Sequence, residues 1–390
     1  MMLNLLQNHH SNMIKKTCLI VLLLTSSTLF SQPPELKLKD IRDASSLSSH
    51  SIRTMAQDCT GYIWIGTING LNRYDGYKIK PYRKIPGDST SLIHNRIRCL
   101  YTDQTGQLWI GTQEGLAKYK AAYDHFTRIV EGEVTKGMLG SSISDIQEDT
   151  KGNLLVAEGP SIYKYLPAKD TFHREVSTKG KTITRFIVDQ NNHIWLGTEQ
   201  EGGLYQFNQQ RKLVKHYLKD EDSDNTLSHN TIYDLVMKDN HLWIATFGGG
   251  VNVYDTKEND FQYYQTSGTF SKYIKKIYID NKNRVWICDL TGLKVFNKET
   301  NSFYGYYPSK DNKHSVKGNA EGIMQDRQDN YWVYYSDKGV AVTIRNKGFH
   351  QFDSNANNYW PTSNDHISTI CEDRNNNLWL GTPYDGIDVF

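Results

Sequence analysis

The chain has 390 residues, with 45 Lys and Arg against 43 Asp and Glu, 25 Tyr, 29 Gly and only 9 Pro. Such a balanced charge offers no basic footprint for nucleic acid, and the five cysteines show no Cys-x-x-Cys or Cys/His spacing of a zinc module. The length would suit two or three ordinary domains, but an internal repeat argues for one ring instead.

The first element is a secretory signal peptide over residues 1–31. Lys15 and Lys16 precede the short apolar run from Cys18 to Leu24, and Ser31 supplies a small residue for cleavage. The run is too short to span a bilayer unaided. Met13 is a candidate for the true start. No lipid-attachment cysteine follows, so the expected product is soluble, periplasmic or secreted, and begins near Gln32. Cleavage removes two of the 45 basic residues and no acidic one, leaving the mature chain neutral. No transmembrane segment is expected after it. The remaining Cys59, Cys99, Cys288 and Cys371 fall at four different places in the repeat and are expected to be unpaired thiols.

The repeat then occurs eight times. Its phrase is Ile-x-x-Ile-x-x-Asp-x-x-Gly-x-Leu-Trp-Ile-Gly-Thr, followed by Gly-Leu-x-x-Tyr. Its anchors are Trp64, Trp109, Leu155 (in place of Trp), Trp195, Trp243, Trp286, Trp332 and Trp379, spaced 40 to 48 residues apart. A period of about 40–50 residues filled with short strand signals marks a β-propeller of four-stranded antiparallel blades, an all-β fold. In the first copy, strand A is Ile52–Gln57, with apolar anchors three apart and therefore expected on opposite faces of the strand. Asp58–Gly61 is a tight turn, because Asp bonds its own backbone ahead and Gly supplies positive φ. Asn192, Asn283 and Asn376 stand in for that Gly. Strand B is 62–67, with its Trp in the inter-blade layer. Strand C is 70–74 and strand D 77–82. Later D strands centre on Phe126, Phe172, Tyr217, Phe261, Phe303 and Phe349. The B–C loops and the variable D–A connections (84–95, 130–142, 218–230 and 307–320) share one rim, where binding is expected.

Ring closure has two readings. The segment Glu35–Ile41 resembles a D strand. It could complete copy seven, giving a seven-repeat propeller over 35–366 and an incomplete eighth repeat over 367–390 that starts a second propeller. Alternatively it completes copy eight, giving eight blades closed by the N-terminal strand.

The phrase Asp103-Gln104-Thr105-Gly106-Gln107-Leu108-Trp109-Ile110-Gly111-Thr112, with Gly115-Leu116 after it, resembles the two-component regulator propeller repeat. So do 192–198, 377–382 and the connector Asp220–Ile232. It differs from the WD repeat, because Trp is followed by Ile, Leu or Val, and from the sialidase box, because Gly61 lies three residues after Asp58. The resemblance implies the periplasmic sensor of a Bacteroidetes-type hybrid two-component system, often tuned to oligosaccharides. It also implies a second propeller or a homodimer partner. No long dimerisation helix or ATP-binding glycine set follows, so a sensor fragment is implied, without signalling chemistry of its own.

A search for other chemistry assigns no catalytic residue, metal or cofactor. The acidic run Asp220-x-Asp222-x-Asp224 has Thr231 where a calcium loop needs a bidentate Glu. Phe247-Gly248-Gly249-Gly250 lacks the strand-to-helix setting of a phosphate loop. Carboxylates and aromatics of the B–C loops, namely Glu114, Glu199, Phe247, Asp289, Tyr335 and Asp337, form the candidate ligand face, since sugars stack on aromatics and bond to carboxylates. The competing readings are a protein-binding scaffold and an exported propeller glycosidase or lyase.

Overall fold

A computed structural model describes residues 33–129, 140–168, 171–264, 266, 272–343, 362–373 and 377–389. The signal peptide, the D strand expected around Phe349, Asn376 and most of the 130–142 connection lie outside the described residues.

Packing divides the chain into two units, 1–343 and 344–390. The first contains seven four-stranded antiparallel sheets in simple up-and-down order. Their innermost strands are Ile52–Gln57, Ile97–Thr102, Ile143–Glu148, Ile183–Val188, Ile232–Lys238, Ile274–Ile279 and Ala320–Gln325. Each lies beside the next, and the last lies beside the first. The seventh sheet takes its outer strand from the N-terminus, with Leu38 opposite Thr343 and Asp40 opposite Ala341. This corresponds to the seven-sheet closure. It also explains why the packing division falls after Thr343, ahead of the boundary at 366 drawn from the repeat. Tyr74 of blade one meets Trp332 of blade seven at 6.0 Å between ring centroids, and Arg327 Nη1 donates to Cys59 O at 3.1 Å.

Most blades are built by the same local rules, which blade one shows. Asp58 Oδ1 accepts from Thr60 N and Tyr62 N at 3.0 and 3.1 Å, an Asx turn. Gly61 sits at φ 102°, and Asn192 and Asn283 hold the left-handed conformation at 61° and 59°. Asp58 does more than shape the turn: its Oδ2 also accepts from Trp64 Nε1 at 2.7 Å. The strand-B Trp, or Leu155 in blade three, then enters the layer shared with the following blade. Trp64 packs with Ile97, Leu108 and Phe126, and Trp332 packs with Ile52 and Met55.

One expectation is corrected. The two apolar anchors of strand A do not face opposite sides. In all seven innermost strands the pairing slips at the second residue, a β-bulge. Ile52 therefore sits opposite Thr67 and Met55 opposite Ile65, two residues apart on strand B and so on one face. Both belong to the layer between blades seven and one. Close approach of neighbouring blades also explains the Gly of Ile-Gly-Thr. A Cβ on Gly66 would stand 2.6 Å from Ile97 Cγ2.

A carboxylate ties blades one and two at their outer side. Asp124 accepts from Tyr82 and Tyr119 hydroxyls at 2.6 Å each, from Arg73 Nη1 at 3.1 Å, and from Lys80. Burial opposes its charge, but these donors outweigh burial and bring its pKa from 3.8 to about 2. A depressed carboxylate pKa stabilises the fold above the unfolded value and loses that stabilisation as pH falls through the folded one. Wild type should therefore exceed Asp124→Asn by about 1–2 kcal/mol at neutral pH. The difference should disappear between about pH 4 and about pH 2, as read from denaturant midpoints across that range.

The second unit, over its described residues, is a three-stranded sheet of Thr369–Glu372, Leu378–Gly381 and Ile387–Val389. It keeps the repeat's signature, with Trp379 Nε1 donating to Asp373 Oδ2 at 3.0 Å. Ile370 and Ile387 are exposed here. The four cysteines expected to be unpaired are all free thiols.

Candidate functional site

The bulges decide what lines the axis of the ring. An extra, unpaired residue in a bulged strand turns its side chain out of the regular alternation. The bulged residues are Arg53, Arg98, Ser144, Thr184, Tyr233, Lys275 and Glu321. Six of them, all but Ser144, line a cavity of about 600 Å³ at the channel mouth. Gln113, Glu199 and Phe247 from B–C turns and Thr182 from a D–A connection complete it. The mouth thus opens on the expected rim.

Its charges are mixed. Lys275 Nζ donates to Glu321 Oε1 and Asn319 Oδ1, both at 2.7 Å. Arg53 Nη1 lies 3.7 Å from the same Glu321 oxygen. Arg98 has no ion pair with another described residue. Burial first, and then the charges of Arg96 and Arg53, lower its pKa, while Glu199 opposes them. Beside these charges runs a row of aromatics. The Phe247 ring lies 4.7 Å from Tyr233 and 4.7 Å from Tyr273. Phe247 is 37 % exposed. Its turn is pinned by Gly248 N and Gly250 N, which both donate to Lys272 O. Gly248 at φ 124° requires glycine, and a Cβ on Gly249 would stand 2.2 Å from Ser228 Oγ. The glycine run is therefore a folding requirement of the loop that presents Phe247. Below the mouth the axis is lined by an ionic network from four successive blades. Arg185 bridges Asp145 and Asp234 at 2.6 Å each, and Lys276 lies 3.3 Å from Asp234.

The six residues expected from sequence divide into three groups. Glu199 and Phe247 meet at the mouth. Glu114 and Asp337 are on exposed turns outside it, Glu114 within 3.4 Å of Lys84 and 3.8 Å of His94. Asp289 and Tyr335 correct the expectation, because both are fully buried. Each occupies the last position of strand B, where blades one, two, four and five have Thr and blade three has Glu158. Thr67 Oγ1, for instance, donates to Gly70 O across the B–C turn at 2.8 Å. Asp289 does the same structural work differently, accepting from Thr291 N, Gly292 N and Lys294 Nζ. Tyr335 packs into the layer between blades six and seven. Arg53, Arg98, Tyr233, Lys275 and Glu321 were missed. Their signal was the residue after the first apolar anchor of strand A, at one register in every copy.

The family model of the two-component regulator propeller matches residues 91–114 and 362–384, so the chain carries that repeat. A histidine kinase from Formosa agariphila is 37% identical over 62 residues, which are 16% of this chain and 4% of the kinase. The extracellular domain of a hybrid two-component system from B. thetaiotaomicron superposes with a TM-score of 0.69 at 22% identity, covering 91% of this chain and 48% of that one. Virginiamycin B lyase from Staphylococcus aureus gives 0.61 at 13% identity over 80% of this chain and 100% of the lyase. At these identities the solved structures establish the fold. The chain spans about half the length of the first of them and a small part of the kinase. Among the described residues, no helix is long and apolar enough to cross a membrane.

Proposed function

We propose that this chain is a non-catalytic, exported sensor propeller, the N-terminal part of a hybrid two-component regulator, and that it binds an oligosaccharide at the channel mouth. The observation that carries this reading is the convergence of bulged residues from six blades on one cavity beside an exposed aromatic row. Sugar rings stack their apolar faces on aromatics such as Phe247, and their hydroxyls exchange hydrogen bonds with carboxylates and guanidinium groups such as Glu199 and Arg98. The cavity volume is in the range of small-ligand sites, about 300–1,000 Å³. The repeat family and the kinase match support the regulatory setting. The exposed apolar residues of the 367–390 sheet support its reading as the start of a second propeller.

Calorimetry of the mature chain against a panel of neutral and acidic oligosaccharides tests this. Phe247→Ala and Arg98→Ala should each weaken the bound sugar by about tenfold or more, a loss of at least ~1.4 kcal/mol. Neither side chain is in an inter-blade core, so stability should change by less than about 1 kcal/mol. Affinity that follows changes at Asn153, Asn192 or Asn283, on the opposite rim, would assign the wrong face. Hydrolysis or elimination products in the same samples would replace the sensor reading with an enzyme.

A further inference from the structure

The opposite rim carries a separate irregularity. In five blades of the ring the strand-B indole N–H is taken by the aspartate of the A–B turn. The pairs are Trp64–Asp58, Trp109–Asp103, Trp195–Asp189, Trp286–Asp280 and Trp332–Asp326, at 2.7 to 3.1 Å from Nε1 to Oδ2. Blade three has Leu155 and no indole to satisfy. Blade five keeps Trp243 but shortens the turn. Lys238 pairs directly with His241, leaving only Asp239 and Asn240 between the strands. No carboxylate is placed under the indole. Trp243 is 7 % exposed, and its Nε1 has no hydrogen-bond acceptor among the described residues.

That indole lines a groove of about 600 Å³ between blades five and six. Tyr264 stacks on Trp243 at 5.9 Å and 15°, and Phe296 meets it edge-on at 5.2 Å. Lys238, Lys282, Arg284 and Lys298 border the groove against Asp239 and Glu299. Burial, and next the charge of Lys298, hold the Lys238 ammonium below its ordinary pKa. The indole opens onto the groove with no protein acceptor among the described residues to take its N–H, and clustered cations repel one another. A single anionic oxygen in this groove would relieve both. The neighbouring blades show which acceptor suits this indole, since each uses a carboxylate.

We propose that the groove binds a small molecule with an apolar body and a carboxylate, whose oxygen accepts from Trp243 Nε1 in place of the missing aspartate. The apolar body lies against Tyr264 and Phe296, and the carboxylate faces the lysines. The site is on the rim away from the channel mouth and stands independently of sugar binding there.

The test uses the mature chain labelled with ¹⁵N at its tryptophan indoles. The Trp243 resonance is identified by its loss in Trp243→Phe. The probe is 4-phenylbutyrate, with 4-phenylbutyramide as its uncharged counterpart. A saturable shift of that one indole resonance is expected with the acid below about 10 mM. The amide should bind at least about tenfold more weakly, because a charged acceptor bonds more strongly than a neutral one. Lys298→Glu, a surface change that preserves the fold, should weaken the acid severalfold. No shift, an equal response to the amide, or an affinity unchanged in Lys298→Glu overturns the proposal.

Discussion

Trp195→Ala lowers the unfolding free energy by about 3–5 kcal/mol, the range for deleting a large buried aromatic. The indole is 1 % exposed. It lies between blades four and five, against Tyr217 at 6.1 Å and Tyr254 at 5.7 Å, with Ile232 and Leu235 in the same layer. The truncation would also take one donor from Asp189, whose Oδ2 accepts from Trp195 Nε1 at 3.1 Å and keeps His193 Nδ1 at 3.1 Å. Rigid strands on both sides leave little room for collapse into the void, so the cavity cost persists. Trp379→Ala is the contrast. That indole is 38 % exposed, and its loss should cost under about 1 kcal/mol. Denaturant unfolding of both variants checks the pair. Equal losses would contradict the layer assignment.

Arg185→Met costs about 3 kcal/mol, the low end for breaking a buried ion pair, because Lys276 still faces Asp234. Asp145 and Asp234 are 2 % and 1 % exposed. Burial opposes charge on Asp234, yet Lys276 and Arg185 hold its pKa below the ordinary value. At Asp145 burial prevails over Arg185 and raises it. Removing the guanidinium raises both, since each carboxylate loses its near cation. A raised carboxylate pKa favours the fold at low pH and weighs against it as pH rises through the folded value. The deficit of Arg185→Met should therefore be largest near neutral pH and shrink as pH falls. Midpoints measured at neutral and at acidic pH decide this. A deficit independent of pH would mean that the network contributes packing alone.

Much of the blade was legible from residues 52–82 alone. The Asp-x-x-Gly turn, the Trp strand and the Gly-Leu strand each follow from φ preferences and local hydrogen bonds. Repetition multiplied those short signals until they specified a propeller. The B–C turns were legible in the same way, because they are short and countable, and two of the residues counted onto them, Phe247 and Glu199, line one cavity. Asp289 and Tyr335 were misplaced by one position. The last residue of strand B and the first of the loop look alike in sequence, but only the loop residue can face solvent.

The sequence by itself determined the strand order within a blade, the turn chemistry and the N-terminal segment's capacity to act as an outer strand, because all of these are set by neighbours a few residues apart. Only the tertiary structure decided the rest. It paired Leu38–Asp40 with Val340–Thr343 rather than with another blade. It placed a bulge in every innermost strand, put both apolar anchors on one face, and turned Arg53, Arg98, Lys275 and Glu321 towards the axis. It brought Asp145, Arg185, Asp234 and Lys276 together from four blades. These features depend on cross-strand register and on the rotation from one blade to the next. Those relations join Ile52 to Thr67 within a blade and Arg185 to Asp145 and Asp234 between blades, and no local pattern records them.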